Sequence, residues 1–435
     1  MGAIEICLVG LAVVIVSILL LRLHAFLGLL LGAFVVSVLT PGVGTEAMGQ
    51  VAAGFGEGCR KIGILIALAA IIGQCLLVSG AAERIVRGLL SFFGVKRAPL
   101  AFLGSGFVLG IPVFFDTVFY LMLPLVRAFA RTNPKVYLLA LLSVVAGASM
   151  AHSLVPPTPG PLLVAARLEV SLGVLIPAGL MLGVVTITVG YAYARWANAR
   201  FDIPFRELDA PEVEIDEEKE LPGLGWSLLP ILLPLVLISV GTFVKMKGDV
   251  PDWLATLSDK NVAMALGAGM AMRLASRVCQ LKKVIHEALS SGGVIILITA
   301  AGAAFGAVLQ DTGIGGELSG MVGDGGGVLF LAFGLTALVR FAQGSATVAM
   351  ITAVAIVAPM VLEADLGFHR VYVALAIGCG SKPLPWMNDS GFWIVSKMSG
   401  MNETETLKTF SVMLSLMGVV GFGVVWLASV LIPLI

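Results

Sequence analysis

Charged side chains are scarce in this chain. Asp, Glu, Lys and Arg make up 12% of its 435 residues and 58% are hydrophobic, whereas an ordinary soluble domain is about 25% charged. A soluble fold of this size would lack the charge to coat itself, so that class is excluded. Net charge is missing too: 27 basic residues balance 27 acidic ones, leaving no bulk field for nucleic acid, and no nucleic-acid role is expected. The five cysteines (Cys7, Cys59, Cys75, Cys279 and Cys379) are scattered in apolar surroundings without metal-ligand spacing. They read as packing residues, and no disulfide, metal or cofactor is expected. Basic residues are absent ahead of the first apolar stretch, Ile4–Leu21, and Arg22 follows it directly. That order is opposite to a cleavable signal peptide's and predicts a retained first span. The Gly-rich stretch 42–58 has no Walker lysine and no preceding strand, so it predicts a flexible loop rather than a phosphate cradle. Nucleophile–base motifs such as GxSxG and HExxH are lacking, which disfavours an intramembrane enzyme.

What the chain does have is apolar runs of the length needed to cross a bilayer, about 17–25 residues. Crossings are expected near 4–21, 25–40, 62–80, 136–168, 172–194, 226–244, 261–277, 288–310, 371–398 and 409–433. Two of these, 136–168 and 371–398, are too long for plain helices and are broken by Pro, Gly and polar residues. Two further stretches, 98–126 and 328–361, are broken near their centres, and basic residues flank both ends of the first, as in a re-entrant helical hairpin. Most of the 27 basic residues then fall on one side, which is taken as cytoplasmic and puts both termini outside.

An acidic segment, 201–225, is the only long polar stretch and reads as a solvated cytoplasmic linker between a first half, 1–200, and a second, 226–435. The halves align at an offset of 231–235 residues: Gly73 and Gly80 with Gly306 and Gly313, Gly110 with Gly344, Val136-Tyr137 with Val371-Tyr372, Gly147 and Gly160 with Gly378 and Gly391. Five crossings per half, an odd number, turn the second upside down. The expected fold is therefore an all-α polytopic membrane protein of two inverted-topology repeats, each with about five crossings, one interrupted, plus one re-entrant hairpin. That layout is a mark of secondary transporters, whose site lies between repeats at the midplane.

The interruptions hold nearly all the ionisable residues placed deep in the membrane: Asp116, His152, Arg340, Lys382 and Asp389. Such residues by default mark a pathway or site. Helices restarting after a break aim N–H groups and positive dipole ends at the midplane, which suits a carboxylate and points to a small organic anion as substrate. Ser345 and Thr347 are placed to cap or donate, with Gly344 and Gly160 at the turns; Thr158, Asn388 and Ser390 are candidates for substrate hydroxyls. Arg340 either neutralises the anion or pairs with Asp116 or Asp389. Lys382 either contacts substrate or snorkels to the surface. Asp116, His152 and Asp389 are the candidate proton carriers, although a carboxylate held by Arg340 would not serve, and His152 has an equal reading as a structural cap. Phe114, Phe115 and Trp386 either wall the pocket or simply pack.

Four segments, GIPVFFD at 110–116, HSLVPPTPGP at 152–161, RFAQGSATVA at 340–349 and NDSGFW at 388–393, occur in an order that resembles the gluconate:proton symporter (gluconate permease) family of the ion-transporter superfamily. The resemblance implies proton-coupled uptake of gluconate or a related hydroxycarboxylate by a homodimer in the cell (inner, cytoplasmic) membrane, with Na⁺ coupling left open. A permease for D-serine or another hydroxy amino acid is the alternative within the family's range; an anion channel is the alternative of another class. Two positions depart from the family pattern: Asp116, where a glutamate is expected, and Trp386, where a histidine is expected.

Overall fold

A computed structural model describes residues 2–94, 97–206, 220–247, 250–278, 280–314, 325–387 and 389–434. Regular structure among them is helical throughout, as so apolar a chain requires, because hydrocarbon offers the backbone no partners of its own. The first run is α1 (Ala3–Leu19), α2 (Ala25–Leu39), α3 (Ala47–Val78), α4 (Ala81–Phe93), α5 (Ala98–Leu109), α6 (Phe115–Thr132), α7 (Tyr137–Leu154), α8 (Pro159–Arg167) and α9 (Leu172–Arg200). The second is α10 (Leu224–Lys247), α11 (Asp252–Ser258), α12 (Lys260–Ala275), α13 (Leu281–Asp311), α14 (Gly325–Gln343), α15 (Ala346–Glu363), α16 (Val371–Gly380), α17 (Ser390–Ser399), α18 (Glu403–Thr406), a π-turn over Leu407–Ser411, and α19 (Val412–Leu431).

Against ten expected crossings, 7 helical stretches among the described residues are long and apolar enough to span. The helices at the expected first and second crossings have 17 and 15 residues, and α12 has 16, about 22–26 Å of rise. Burial separates centre from periphery. The most apolar window of 134–167 is 89% buried and that of Ala346–Glu363 78%, against 39% for Leu224–Lys245. The broken elements thus form the middle of the molecule and the unbroken helices its apolar rind.

Small residues set the helix crossings. The Gly-rich stretch expected to be a loop is helical from Ala47, and two of its glycines, Gly54 and Gly58, are packing surfaces. A Cβ at Gly58 would lie 2.7 Å from the Ala303 side chain, and one at Gly54 3.0 Å from the Ala304 backbone. Gly292 meets Ala70 in the same way, at 3.0 Å. Positions on α3 rise as those on α13 fall, so the pair crosses antiparallel, in small-xxx-small contact. Equivalent helices pointing opposite ways make the second run the inverted image of the first. A further contact recurs in both runs, its glycines 233 residues apart and their partners 230. A Cβ at Gly147 on α7 would be 2.2 Å from the Leu103 carbonyl of α5, and one at Gly380 on α16 2.5 Å from the Phe333 carbonyl of α14. By packing, then, Gly380 rather than Gly378 is the counterpart of Gly147.

The start of the linker is strapped to the protein, although Asp202 and Pro204 stay exposed. Arg206 binds both carboxylate oxygens of Glu405, at 2.6 and 2.7 Å, and the Gly400 carbonyl at 2.6 Å. Phe205 packs edge-on against Tyr137, whose hydroxyl donates to the Ser399 carbonyl at 2.9 Å. This ties 201–206 across α7 and the α17–α18 corner; residues 207–219 of the expected linker lie outside the described residues.

Overpacking the α3–α13 crossing by Gly58→Leu is expected to cost about 1–3 kcal/mol, read as a lower melting temperature in detergent. Gly56→Leu, on the same helix with nothing within 4 Å of its Cβ position, should melt like the unmodified protein.

Candidate functional site

Three of the four interruptions restart their helices by identifiable local chemistry. Gly344 takes φ +75° and closes α14, a left-handed conformation that favours glycine. Ser345 then caps α15, its Oγ accepting the Val348 N–H at 3.3 Å. Asp389 caps α17, one carboxylate oxygen accepting the N–H groups of Gly391 at 2.6 Å and Phe392 at 3.3 Å. The first broken span restarts with Pro159 and Pro161 in the opening turn of α8, where a missing N–H costs nothing.

Three of these breaks, with the end of α7, surround a cavity of about 380 Å³. Its lining includes Phe114, Phe115 and Asp116 from the first hairpin and Ser149 and His152 from α7. Arg340, Gly344, Ser345 and Thr347 come from the second hairpin, and Lys382, Asp389 and Ser390 from the second broken span. Two acids, two bases and a histidine therefore share one small space.

Of the two readings of Arg340, the structure adopts the ion pair. Its guanidinium binds the second carboxylate oxygen of Asp389 and the Gly344 carbonyl, locking hairpin tip to broken span. The two residues are 5% and 4% exposed, deep enough for the pairing to decide their role. Lys382 does not snorkel. It is buried and its Nζ donates to the Ser149 carbonyl at 2.6 Å, leaving two further N–H bonds to give. The Asp116 carboxylate makes no hydrogen bond or ion pair among the described residues. His152 has Nε2 3.5 Å from Thr347 Oγ1, while its buried Nδ1 and the Nε of Arg340 lack protein partners.

Other expected residues are elsewhere. Thr158 donates to the Val155 carbonyl at 2.9 Å, and Gly160 lies against Met350, where a Cβ would come within 2.8 Å of the sulfur. Neither lines the cavity, because the first break packs its own turn closed against α15. Trp386 stacks on Phe341 and donates its indole N–H to that residue's carbonyl at 2.9 Å, outside the cavity. Asn388 falls outside the described residues. Conversely, Thr117, Ser149, Ser291, Ile295, Phe410 and Leu414 line the cavity without having been anticipated. Ser149 sits one helical turn before His152, and Ser290-Ser291-Gly292-Gly293 interrupts an apolar run, so both left a trace. Phe410 and Leu414 are apolar residues of an apolar span and left none; the π-turn that carries Phe410 is a device frequent at functional sites.

A model of the GntP family permeases matches residues 3–431. The gluconate permease of Pseudomonas aeruginosa is 31% identical over 440 residues, covering 98% of this chain and 96% of that one. The low-affinity gluconate transporter of Escherichia coli K12 is 30% identical over 415 residues, 92% of each. Among solved structures, the YdaH transporter of Alcanivorax borkumensis shares the fold, with a TM-score of 0.66 at 15% identity, over 94% of this chain and 98% of that one.

Removing one partner of the buried pair strands the other. Arg340→Met is expected to destabilise the protein by about 3–5 kcal/mol, and the double variant Arg340→Met with Asp389→Asn to recover a large part of that loss. Thermal unfolding of the two variants side by side checks this.

Proposed function

The chain belongs to the GntP family of permeases, and from that premise we propose that it is a proton-coupled symporter taking up gluconate or a related small hydroxycarboxylate. The observation that carries the reading is the pair of charges left over in the cavity once Arg340 and Asp389 are matched: Lys382 and Asp116. An ionised carboxylate entering that space adds one negative charge, which a buried site does not accept without compensation. Lys382 supplies the contact for the carboxylate, and a proton on Asp116 restores neutrality. Asp389 is already engaged, one oxygen by Arg340 and the other by two backbone N–H groups. The donors that line the space, Lys382 with two N–H bonds to spare and the hydroxyls of Ser345, Thr347 and Ser390, suit a substrate whose chain bears hydroxyls.

In this reading the halves 1–200 and 226–435, joined through 201–225, carry their hairpins into the membrane from opposite sides. The protein works as a homodimer in the inner membrane with both termini outside. Relatives named for gluconate support the choice of acid.

Proteoliposomes given labelled gluconate, glycerate or D-serine should accumulate gluconate best, and only with an imposed pH gradient, acid outside. Accumulation independent of that gradient, or of none of the three, contradicts the proposal. Asp116→Asn should abolish gradient-driven accumulation yet retain gluconate–gluconate exchange, and Lys382→Met should weaken gluconate binding roughly tenfold or more.

A further inference from the structure

A second cavity, about 410 Å³, is separate from the site and is built differently. It lies among the first turn of α9, the last turns of α10 and the start of α12, with α3 and α8 behind it. One wall is apolar, formed by Ile62, Leu65, Leu162 and Ile238. The opposite rim carries Lys245 and Lys260 with the hydroxyls of Thr242 and Ser258. Among the described residues the only acid in the lining is Asp259, which caps α12 by accepting the N–H groups of Asn261 and Val262 at 2.9 and 3.2 Å, so two lysines against one carboxylate leave the rim net positive. The Ser171 and Thr242 hydroxyls lie 3.4 Å apart, and Ser171 does not cap α9. The polar groups sit at or near helix ends, and Trp253 on the adjoining α11 is exposed, as tryptophans at a membrane boundary are.

We propose that this cavity binds an anionic phospholipid, its phosphate between Lys245 and Lys260 and the upper part of an acyl chain along the Ile62–Leu65–Leu162 wall. The division into a cationic rim and an apolar wall is what recognises such a molecule. A small hydrophilic acid would match the rim alone and leave the wall bare, whereas a lipid satisfies both ends and is the solvent already present. A separate void of about 10 Å³, which reaches Pro156 and Pro157, shares Leu65, Leu162 and Ile238 with this cavity, so the apolar wall backs onto the first break.

The test uses the full chain in detergent and follows its melting temperature on addition of phosphatidylglycerol, phosphatidylcholine or inorganic phosphate. Phosphatidylglycerol alone should raise the melting temperature, and Lys245→Gln with Lys260→Gln should weaken that response roughly tenfold or more, while gluconate binding is retained. Should the double variant fold poorly, Leu162→Trp, which fills the apolar wall, must abolish the same response. Equal stabilisation by phosphatidylcholine, an undiminished response in these variants, or an equal effect of inorganic phosphate each overturns the assignment to a lipid.

Discussion

A helix broken inside hydrocarbon leaves N–H and C=O groups without partners, at several kcal/mol each, and the rest of this structure follows from how that debt is met. At the second hairpin and the second broken span one arrangement settles most of it. Asp389 accepts two N–H groups of α17 with one oxygen, and its other oxygen takes the Arg340 guanidinium, which also reaches the Gly344 carbonyl at the facing tip. The same ion pair that closes the backbone accounts thereby consumes one cation and one anion of the site. What remains available to a ligand is decided by subtraction: Lys382 and Asp116.

Holding such tips in register needs rigid support, and the glycines supply it. Gly147 and Gly380 bring α7 and α16 so close to α5 and α14 that each hairpin arm and its neighbouring broken helix pack backbone to backbone. Farther out, Gly54, Gly58 and Gly292 let α3 and α13 cross antiparallel. Close approach of this kind is how helices associate where lipid removes the hydrophobic drive for it. The strap through Phe205 and Arg206 adds a tie between α7 and the α17–α18 corner. The cavity therefore sits between elements that are each stiff but interrupted where they meet.

Much of this was legible in the sequence, and the failures have physical reasons. The helical class and the clustering of charge were visible because both are matters of composition and of which residues tolerate hydrocarbon. The choice between a ligand role and an ion pair for Arg340 was not, since spacing does not say which of two aspartates faces it. Thr158 and Gly160 misled because a Pro-rich break looks the same whether its turn faces a cavity or, as here, packs against Met350. Glycine density at 42–58 suggested a loop, whereas in a membrane it marks a crossing. Phe410 and Leu414 were invisible, because an apolar residue facing a site and one facing lipid are the same letter.

The central claim is that the space bounded by the two hairpin tips and the second broken span holds the transported acid by its carboxylate at Lys382. A structure determined with gluconate bound tests it most directly. The account predicts the carboxylate within hydrogen-bond distance of Lys382 Nζ, with Arg340 still paired to Asp389. Gluconate bound elsewhere, or bound there through Arg340 with Asp389 released, would contradict it.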